Sequence, residues 1–421
     1  MGHEELLDYC CRYKRIICYG AGRYAMTIRE FLYENNINLV GFVVTDNKEE
    51  KKMLMDLPVD NCTEVFPVKD DTGIIIGVGE TKHDEIKESL NMFGVKEYFA
   101  VTQKCFNDID LHTKYIKKWR NNDCEICVLL YHRVCSLPLD VWGLAISPEA
   151  FEKQIKFFRE NYNIIRFDED WSKVVEPSLI ITFDDGYADN LYHALPILEK
   201  YEVPATIFVS TGNLDTSKEF WWDELERIIF FNEKDTFYFA PDGVVFPIRT
   251  YEEKKKACQR IRLFLKHLLP DQRSEFLNKI MWELGAEVKS RDLNRSLSKK
   301  ELRKMASSPL ITIGGHTVTH NMLSAEPKDK QEWEIVQSKH TIEETIDDEL
   351  TVFSYPFGGR DDINVDTIES VKKAGYIRAA TTYAGLTCQG KDSFEMPRNS
   401  IPYCKEQSEI KKQIKKIYSL Y

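Results

Sequence analysis

Leu179-Ile180-Ile181-Thr182-Phe183-Asp184-Asp185-Gly186 decides the fold. LIITF is an apolar, β-branched run that suits a strand buried on both faces, as in parallel sheets, and it stops at two carboxylates and a glycine. The same construction recurs along the chain. LITIGG (310–315) runs into His316-Thr317-Val318-Thr319-His320, CEICVLLY (124–131) into His132-Arg133, and TVFSYP (351–356) into Phe357-Gly358-Gly359. NIIRF (163–167), ATIFVS (205–210) and RAATT (378–382) add strands that alternate with helical segments. The fold class is therefore α/β, with a barrel or a large open parallel sheet in this region. In a parallel barrel the carboxyl ends of all strands face one mouth, so groups far apart in sequence converge there.

The residue types at those strand ends suit metal-assisted hydrolysis. His316 and His320 lie four apart, a spacing that puts both rings on one side if the chain turns helically. Two imidazoles and one carboxylate make a catalytic metal set with open positions for water and substrate. Adjacent carboxylates then divide the work, one binding metal and the other taking a proton from water. Asp-Asp-Gly alone is an ordinary turn, and HxxxH alone two unrelated histidines. Their joint placement after apolar strands points to a site.

Together, Thr182-Phe183-Asp184-Asp185-Gly186, His316-Thr317-Val318-Thr319-His320 and Phe353-Ser354-Tyr355-Pro356-Phe357-Gly358 resemble the polysaccharide deacetylases of the NodB-homology type, carbohydrate esterase family 4, over roughly residues 124–403. The resemblance implies a distorted (β/α) barrel. It implies Asp184 as general base, Asp185, His316 and His320 as ligands of a divalent metal, commonly zinc, and a backbone N–H near Tyr355 for the oxyanion. Ser354 stands where many members have an arginine, and no histidine follows His340 to serve as the late acid. The pattern is instead similar to the subgroup with an early Tyr-His pair, which makes His132 the acid; the plainer alternative is a histidine hydrogen-bonded in the barrel mouth. Arg398, in MPRNS, is a candidate to orient Asp184 in place of the missing arginine, or a structural arginine. The implied activity is removal of acetyl from an N-acetylated sugar of a cell-surface polysaccharide or its nucleotide- or lipid-linked precursor. Two alternatives share this fold: a non-catalytic glycan- or nucleotide-sugar-binding protein, and a deacylase of formyl or O-acetyl groups.

Working outward, residues 14–101 alternate strands and helices and read as a small Rossmann-like open sheet. Its first turn, Gly20-Ala21-Gly22-Arg23-Tyr24-Ala25, is a GxGxxA loop, and Asp46 ends the next strand. Gly20 and Gly22 would admit a phosphate to backbone N–H groups and Asp46 would take a ribose hydroxyl, the features of a nucleotide or nucleotide-sugar site. The same glycines also serve a tight turn without ligand. An NAD-dependent oxidoreductase would need a hydride-transfer site, and no candidate is visible.

The expected divisions are 1–101, a polar linker over 102–123, and a deacetylase-like barrel over 124–421 with an insertion at about 213–304. Within the insertion, FWWDELERIIFF places Phe220, Trp221 and Trp222 at a helix start, mostly for packing with one tryptophan reaching the cleft. DTFYFAPDGVVFPI (235–248) reads as a hairpin. Near the end, Ile410, Ile414, Ile417 and Tyr421 share a helical face apart from Lys411, Lys412, Lys415 and Lys416. That face fits a packed helix, the more ordinary outcome, or peripheral contact with an anionic membrane.

A net charge of −11 and a pI near 5.5 argue against nucleic acid as a partner. No run has the length of a transmembrane helix, the N-terminus lacks a signal pattern, and eleven scattered cysteines suit a reducing compartment, so a cytoplasmic location is expected. Cys124 and Cys127 form a CxxC that enters a strand and reads as structural.

Overall fold

The computed structural model describes residues 3–35, 37–45, 53–120, 125–174, 176–286, 289–388, 392–404 and 406–420. Asp46, Cys124 and Tyr421 lie outside the described residues. The chain divides into two compact units, Met1–Asn122 and Asp123–Tyr421.

The first unit is a six-stranded sheet in the order Met53–Leu54, Leu57–Asn61, Leu39–Val44, Arg15–Tyr19, Thr72–Ile76, Phe99–Ala100. Every pairing is parallel except the short Met53–Leu54 hairpin with Leu57–Asn61. Alternation along Arg15–Tyr19 explains its two-sided burial. Ile16 and Cys18 join a core with Phe31, Phe106 and Ile109, while Ile17 and Tyr19 join another with Phe66, Ile86 and Leu90. The chain leaves the central strand toward one neighbour and later returns on the other side. The Gly20–Gly22 turn thus sits where the strand order reverses, the place at which open α/β sheets bind ligands.

The stretch read as a linker is different. Gln103–Arg120 is an eighteen-residue helix, and Cys105, Phe106 and Ile109 are buried in the first unit's core. Its few apolar positions recur at helical spacing but are diluted by charge, which is why the segment reads as a connection.

The second unit is built on a curled, wholly parallel sheet, the distorted (β/α) barrel. Ile126–Tyr131 pairs through six residues with Ser178–Phe183, followed by Ala205–Val209, Ile311–Gly315, Val352–Ser354 and Arg378–Ala380. Asn163–Ile164 pairs with the start of Ser178–Phe183. The three middle strands are buried at every residue, as their unbroken apolar runs require. The two edges are joined by a segment that no strand pattern marks. Met396 bridges Ala380 and Asn399 bridges Leu129, both in parallel.

Between Ala205–Val209 and Ile311–Gly315 the insertion forms its own core. Helices Trp221–Phe230, Tyr251–Leu265 and Pro270–Leu284 and the expected hairpin, Thr236–Phe239 with Val244–Pro247, surround Leu225, Ile228, Phe239, Ile261 and Leu277. The last helix, Gln407–Leu420, buries Ile410, Ile414 and Tyr418, and Tyr418 donates to the carbonyl of Ser178 at 3.1 Å. Protein covers Ile410 and Ile414 and Ile417 is half-buried, as expected of a packed helix, and nothing here supports a membrane contact. Among the described residues no helix is long and apolar enough to cross a membrane.

Candidate active site

Each strand end delivers its polar group to one cavity of about 240 Å³, lined by His132, Asp184, Asp185, His316 and His320. Asp185 sits at φ 74°, and Gly186 at φ 80° packs where a Cβ would meet Val209 at 3.0 Å. Glycine is therefore required to turn the carboxylates inward. His316 and His320 do converge, with ring centroids 4.9 Å apart, but not on a helix. The loop after Gly315 is irregular, with Thr317 at φ 63° and His320 at φ 50°. Buried Glu334 holds it by accepting the N–H groups of Val318 and Thr319 at 2.8 and 2.9 Å. Left-handed backbone at non-glycine residues is costly, so it persists only where surrounding bonds such as those to Glu334 hold it.

Ligand atoms of Asp185, His316 and His320 lie within 4.8 Å of one another, and all three residues are buried. Asp185 Oδ1 is 3.3 Å from Nε2 of His320 and 3.6 Å from Nε2 of His316, yet it accepts no hydrogen bond among the described residues. Nδ1 of His316 lies 2.7 Å from the Ser354 carbonyl, which can only accept. That bond puts the proton on Nδ1 and leaves the Nε2 lone pair facing the carboxylate, the tautomer a metal ligand needs. Burial pushes Asp185 up, but His316 and His320 overcome it and hold the carboxyl well below its usual range. Burial lowers His320, walled by Trp222 and Phe357 at 4.5 and 4.9 Å between ring centroids. For His316, burial acts downward but Asp184 and Asp185 prevail, and its pKa is raised.

Asp184 has a separate partner. Arg398 grips it with a fork, Nη1 to Oδ1 at 2.7 Å and Nη2 to Oδ2 at 2.6 Å. Nη2 also donates to Ser354 Oγ at 2.8 Å, and Nε to the Thr381 carbonyl at 2.8 Å. Ser354 in turn donates to Asp184 at 3.3 Å. The guanidinium, carried on the closing segment, fills the space that the small Ser354 leaves. Burial alone would raise Asp184; Arg398, with His316 and His132, brings it below its usual range.

One expectation needs correction. The Tyr355 N–H donates to the Ala380 carbonyl at 3.1 Å as part of the sheet, so it is not free for an oxyanion. The reason is register: Tyr355 still follows the strand direction, and the chain leaves the sheet only at Pro356. Phe357, at φ 61°, lines the cavity, and its N–H donates to no group among the described residues.

Residues 172–230 and 273–379 match the family model "Polysaccharide deacetylase". The second unit is a polysaccharide deacetylase domain. The match lies wholly within this unit, and family relatives of this kind indicate a carbohydrate deacetylase, a hydrolase of amide bonds. The Bacillus subtilis protein YxkH, provisionally named a polysaccharide deacetylase, is 22% identical over 281 residues, 65% of this chain and 70% of its own. A polysaccharide deacetylase from Bacillus cereus superposes with TM-score 0.45 at 19% identity, covering 69% of each chain. The Streptococcus pyogenes deacetylase PplD, in complex with acetate, gives TM-score 0.44 at 18% identity, covering 68% of this chain and 97% of its own.

The deacetylase domain also uses residues that no motif flagged. Trp142, Gln259 and Arg262 line the cavity, as do both Trp221 and Trp222. Trp222 donates to Tyr187 Oη at 2.9 Å, which donates to buried Asp223 at 2.7 Å. Arg133, next to His132, pairs with Asp189 at 2.9 Å, and its guanidinium lies 4.2 Å from the Tyr187 ring. Asn190 donates to the His132 carbonyl at 2.9 Å. These bonds fix the backbone that presents His132, and they are invisible to spacing because their partners are far apart in the chain.

Proposed function

We propose that the deacetylase domain is a metal-dependent N-deacetylase that removes acetyl from an N-acetylated saccharide. The observation that carries this reading is the buried, donor-free Asp185 Oδ1 facing two imidazole nitrogens, beside a second carboxylate held apart by its own arginine. Three converging acceptors fit a divalent cation, with zinc the ion best suited to two imidazoles and one carboxylate. When bound, such an ion supplies Lewis-acid polarisation and makes water a better acid.

Asp184 takes the proton from the attacking water. Arg398 keeps it ionised and fixes its plane, so the carboxylate is ready at neutral pH. As the acetyl carbonyl oxygen gains charge, the free Phe357 N–H is the loop donor suited to meet it. His132, half-buried at the cavity wall, gives a proton to the departing nitrogen, without which the amine is a poor leaving group. Acetate and a free amino sugar result.

For the first unit, packing accounts for Gly20: at φ 123°, its Cβ would meet Val78 at 2.6 Å. Gly22 begins helix Arg23–Glu34 and would meet nothing within 4 Å. Open space at a helix start, at the reversal of strand order, supports a nucleotide or nucleotide-sugar there. A melting-temperature rise with a UDP-sugar but not with NAD is expected; no rise with either leaves a scaffold. The ten described cysteines all carry free thiols, which supports a reducing, cytoplasmic setting.

The test is acetate release from a panel of nucleotide-linked and oligomeric N-acetylhexosamines, run beside Asp184→Asn. Release by the wild type, with turnover lost and metal retained in the variant, is the expected result. No acyl release from any N-acetyl, N-formyl or O-acetyl sugar by the zinc- or cobalt-loaded protein would leave a saccharide-binding protein instead.

A further inference from the structure

When the charges of the catalytic cavity are paired off among the described residues, the Arg262 guanidinium is left over. Arg262, in the last turn of helix Tyr251–Leu265, lines the same cavity as Asp184, Asp185 and His132. Its guanidinium is half-buried and makes no hydrogen bond or ion pair among the described residues; its ring contact is with Trp142, 5.6 Å from the centroid. The acid that acts on it, Asp362, is already engaged. One carboxylate oxygen of Asp362 pairs with Lys266, and the other accepts the Gly359 N–H at 2.9 Å. The cavity's own carboxylates are committed too, Asp184 to Arg398 and Asp185 to the two imidazoles.

The helix register shows that this placement is built in. Ala257, Cys258, Ile261 and Leu265 are fully buried in the core of the insertion, which turns Gln259 and Arg262 together into the cavity. An arginine does not lose its charge, and an unpaired guanidinium in a partly desolvated site is expensive unless an anion arrives. Its planar fork of donors matches an oxyanion with two or more oxygens. Tyr251–Leu265 also falls between the two segments that match the family model, so it is an element added to the common domain.

We propose that Arg262 reads an anionic group, phosphoryl or carboxylate, on the N-acetylated saccharide, so that the substrate of this site is an acidic sugar derivative. The proposal rests on the deacetylase reading for its substrate, and on geometry alone for its charge. Gln259, one turn away, offers an amide to the same group.

The experiment compares three probes on the full, metal-loaded chain: N-acetylglucosamine 1-phosphate, a disaccharide of N-acetylglucosamine with a uronic acid, and the neutral methyl glycoside of N-acetylglucosamine. Acetate release and calorimetric binding are measured for each. One charge-assisted contact is worth on the order of ten- to a hundredfold. The wild type is expected to favour at least one anionic probe by that factor, with the two anionic arms identifying the source of the charge. Arg262→Gln should lose the preference through KM, and Arg262→Lys should keep part of it. Equal use of neutral and anionic probes by the wild type overturns the proposal even if no variant folds, and leaves the deacetylase reading standing. Retained preference in a folded Arg262→Gln also overturns it. Arg262-dependent binding of an anionic probe without acetate from any probe supports the anion site and sinks the deacetylase reading.

Discussion

Arg398→Met tests whether the fork on Asp184 is a working ion pair or incidental packing. Methionine fills much of the space and removes all the donors. Asp184 would then be a carboxylate only 3% exposed, with Ser354 Oγ at 3.3 Å as its remaining side-chain donor. Removing one partner of a buried pair typically costs about 3–5 kcal/mol. At about 2–4 °C per kcal/mol for a domain of this class, the melting temperature should fall by roughly 6–20 °C. Adding Asp184→Asn removes the stranded charge, so the double variant should recover much of the loss, with a coupling energy of several kcal/mol in a double-mutant cycle. With the chief opponent of burial gone, the Asp184 pKa rises, and the acid limb of kcat/KM should move to higher pH. Arg398→Lys keeps charge but not the fork and should lie between. A coupling energy under about 1 kcal/mol together with an unmoved acid limb would refute the reasoning.

Asp185→Asn and His320→Gln should each reduce bound zinc from about one ion per chain to well below it by elemental analysis after dialysis, while Asp184→Asn keeps it. His132→Gln should lower kcat on N-acetyl substrates by about 10²–10⁴, but far less on an activated aryl acetate, whose leaving group needs no proton; equal losses on both would remove its acid role. Asp223, between Tyr187 and the insertion core, is pushed up to about 8 by burial, with Arg133 and Tyr187 opposing. Its folded pKa is above its unfolded value, so its stabilising share is complete in acid. That share is lost as pH rises through about 8, at up to ~1.4 kcal/mol per pH unit. Asp223→Asn keeps an acceptor for Tyr187 and should flatten the decline in melting temperature between pH 5 and 8; an unchanged slope would show that Asp223 is not its source.

What was legible in the sequence is what neighbouring residues specify. LIITF and LITIGG announce buried parallel strands by composition, and the abrupt change to Asp184-Asp185-Gly186 and His316 marks their carboxyl ends. Convergence of those ends follows from parallel topology. Where the sequence misled, a local cue met a nonlocal competitor. The spacing of His316 and His320 suggested a helix, but the histidines are brought together by left-handed residues and the grip of Glu334. Tyr355 reads as a loop residue, but its N–H pairs with Ala380 on a strand that periodicity cannot align. Gln103–Arg120 looked like a connection because charge dilutes its apolar stripe. Arg262 carried no signal at all, since nothing local shows which face of an amphipathic helix borders a cavity made by another element.

The segment that joins the sheet edges also carries Arg398, and its partner Asp184 lies 214 residues earlier in the chain. A ribosome that has released the DDG turn, His316, His320 and every strand of the sheet has still not supplied the arginine that pairs with the carboxylate of Asp184. Cyclising the sheet and neutralising that charge are then one event, set among the slow, long-range steps of folding. Until it occurs, Asp184 favours staying hydrated, which keeps the nascent pocket open to water. Chains cut before Met396 should therefore yield an unsealed barrel rather than a weakened enzyme.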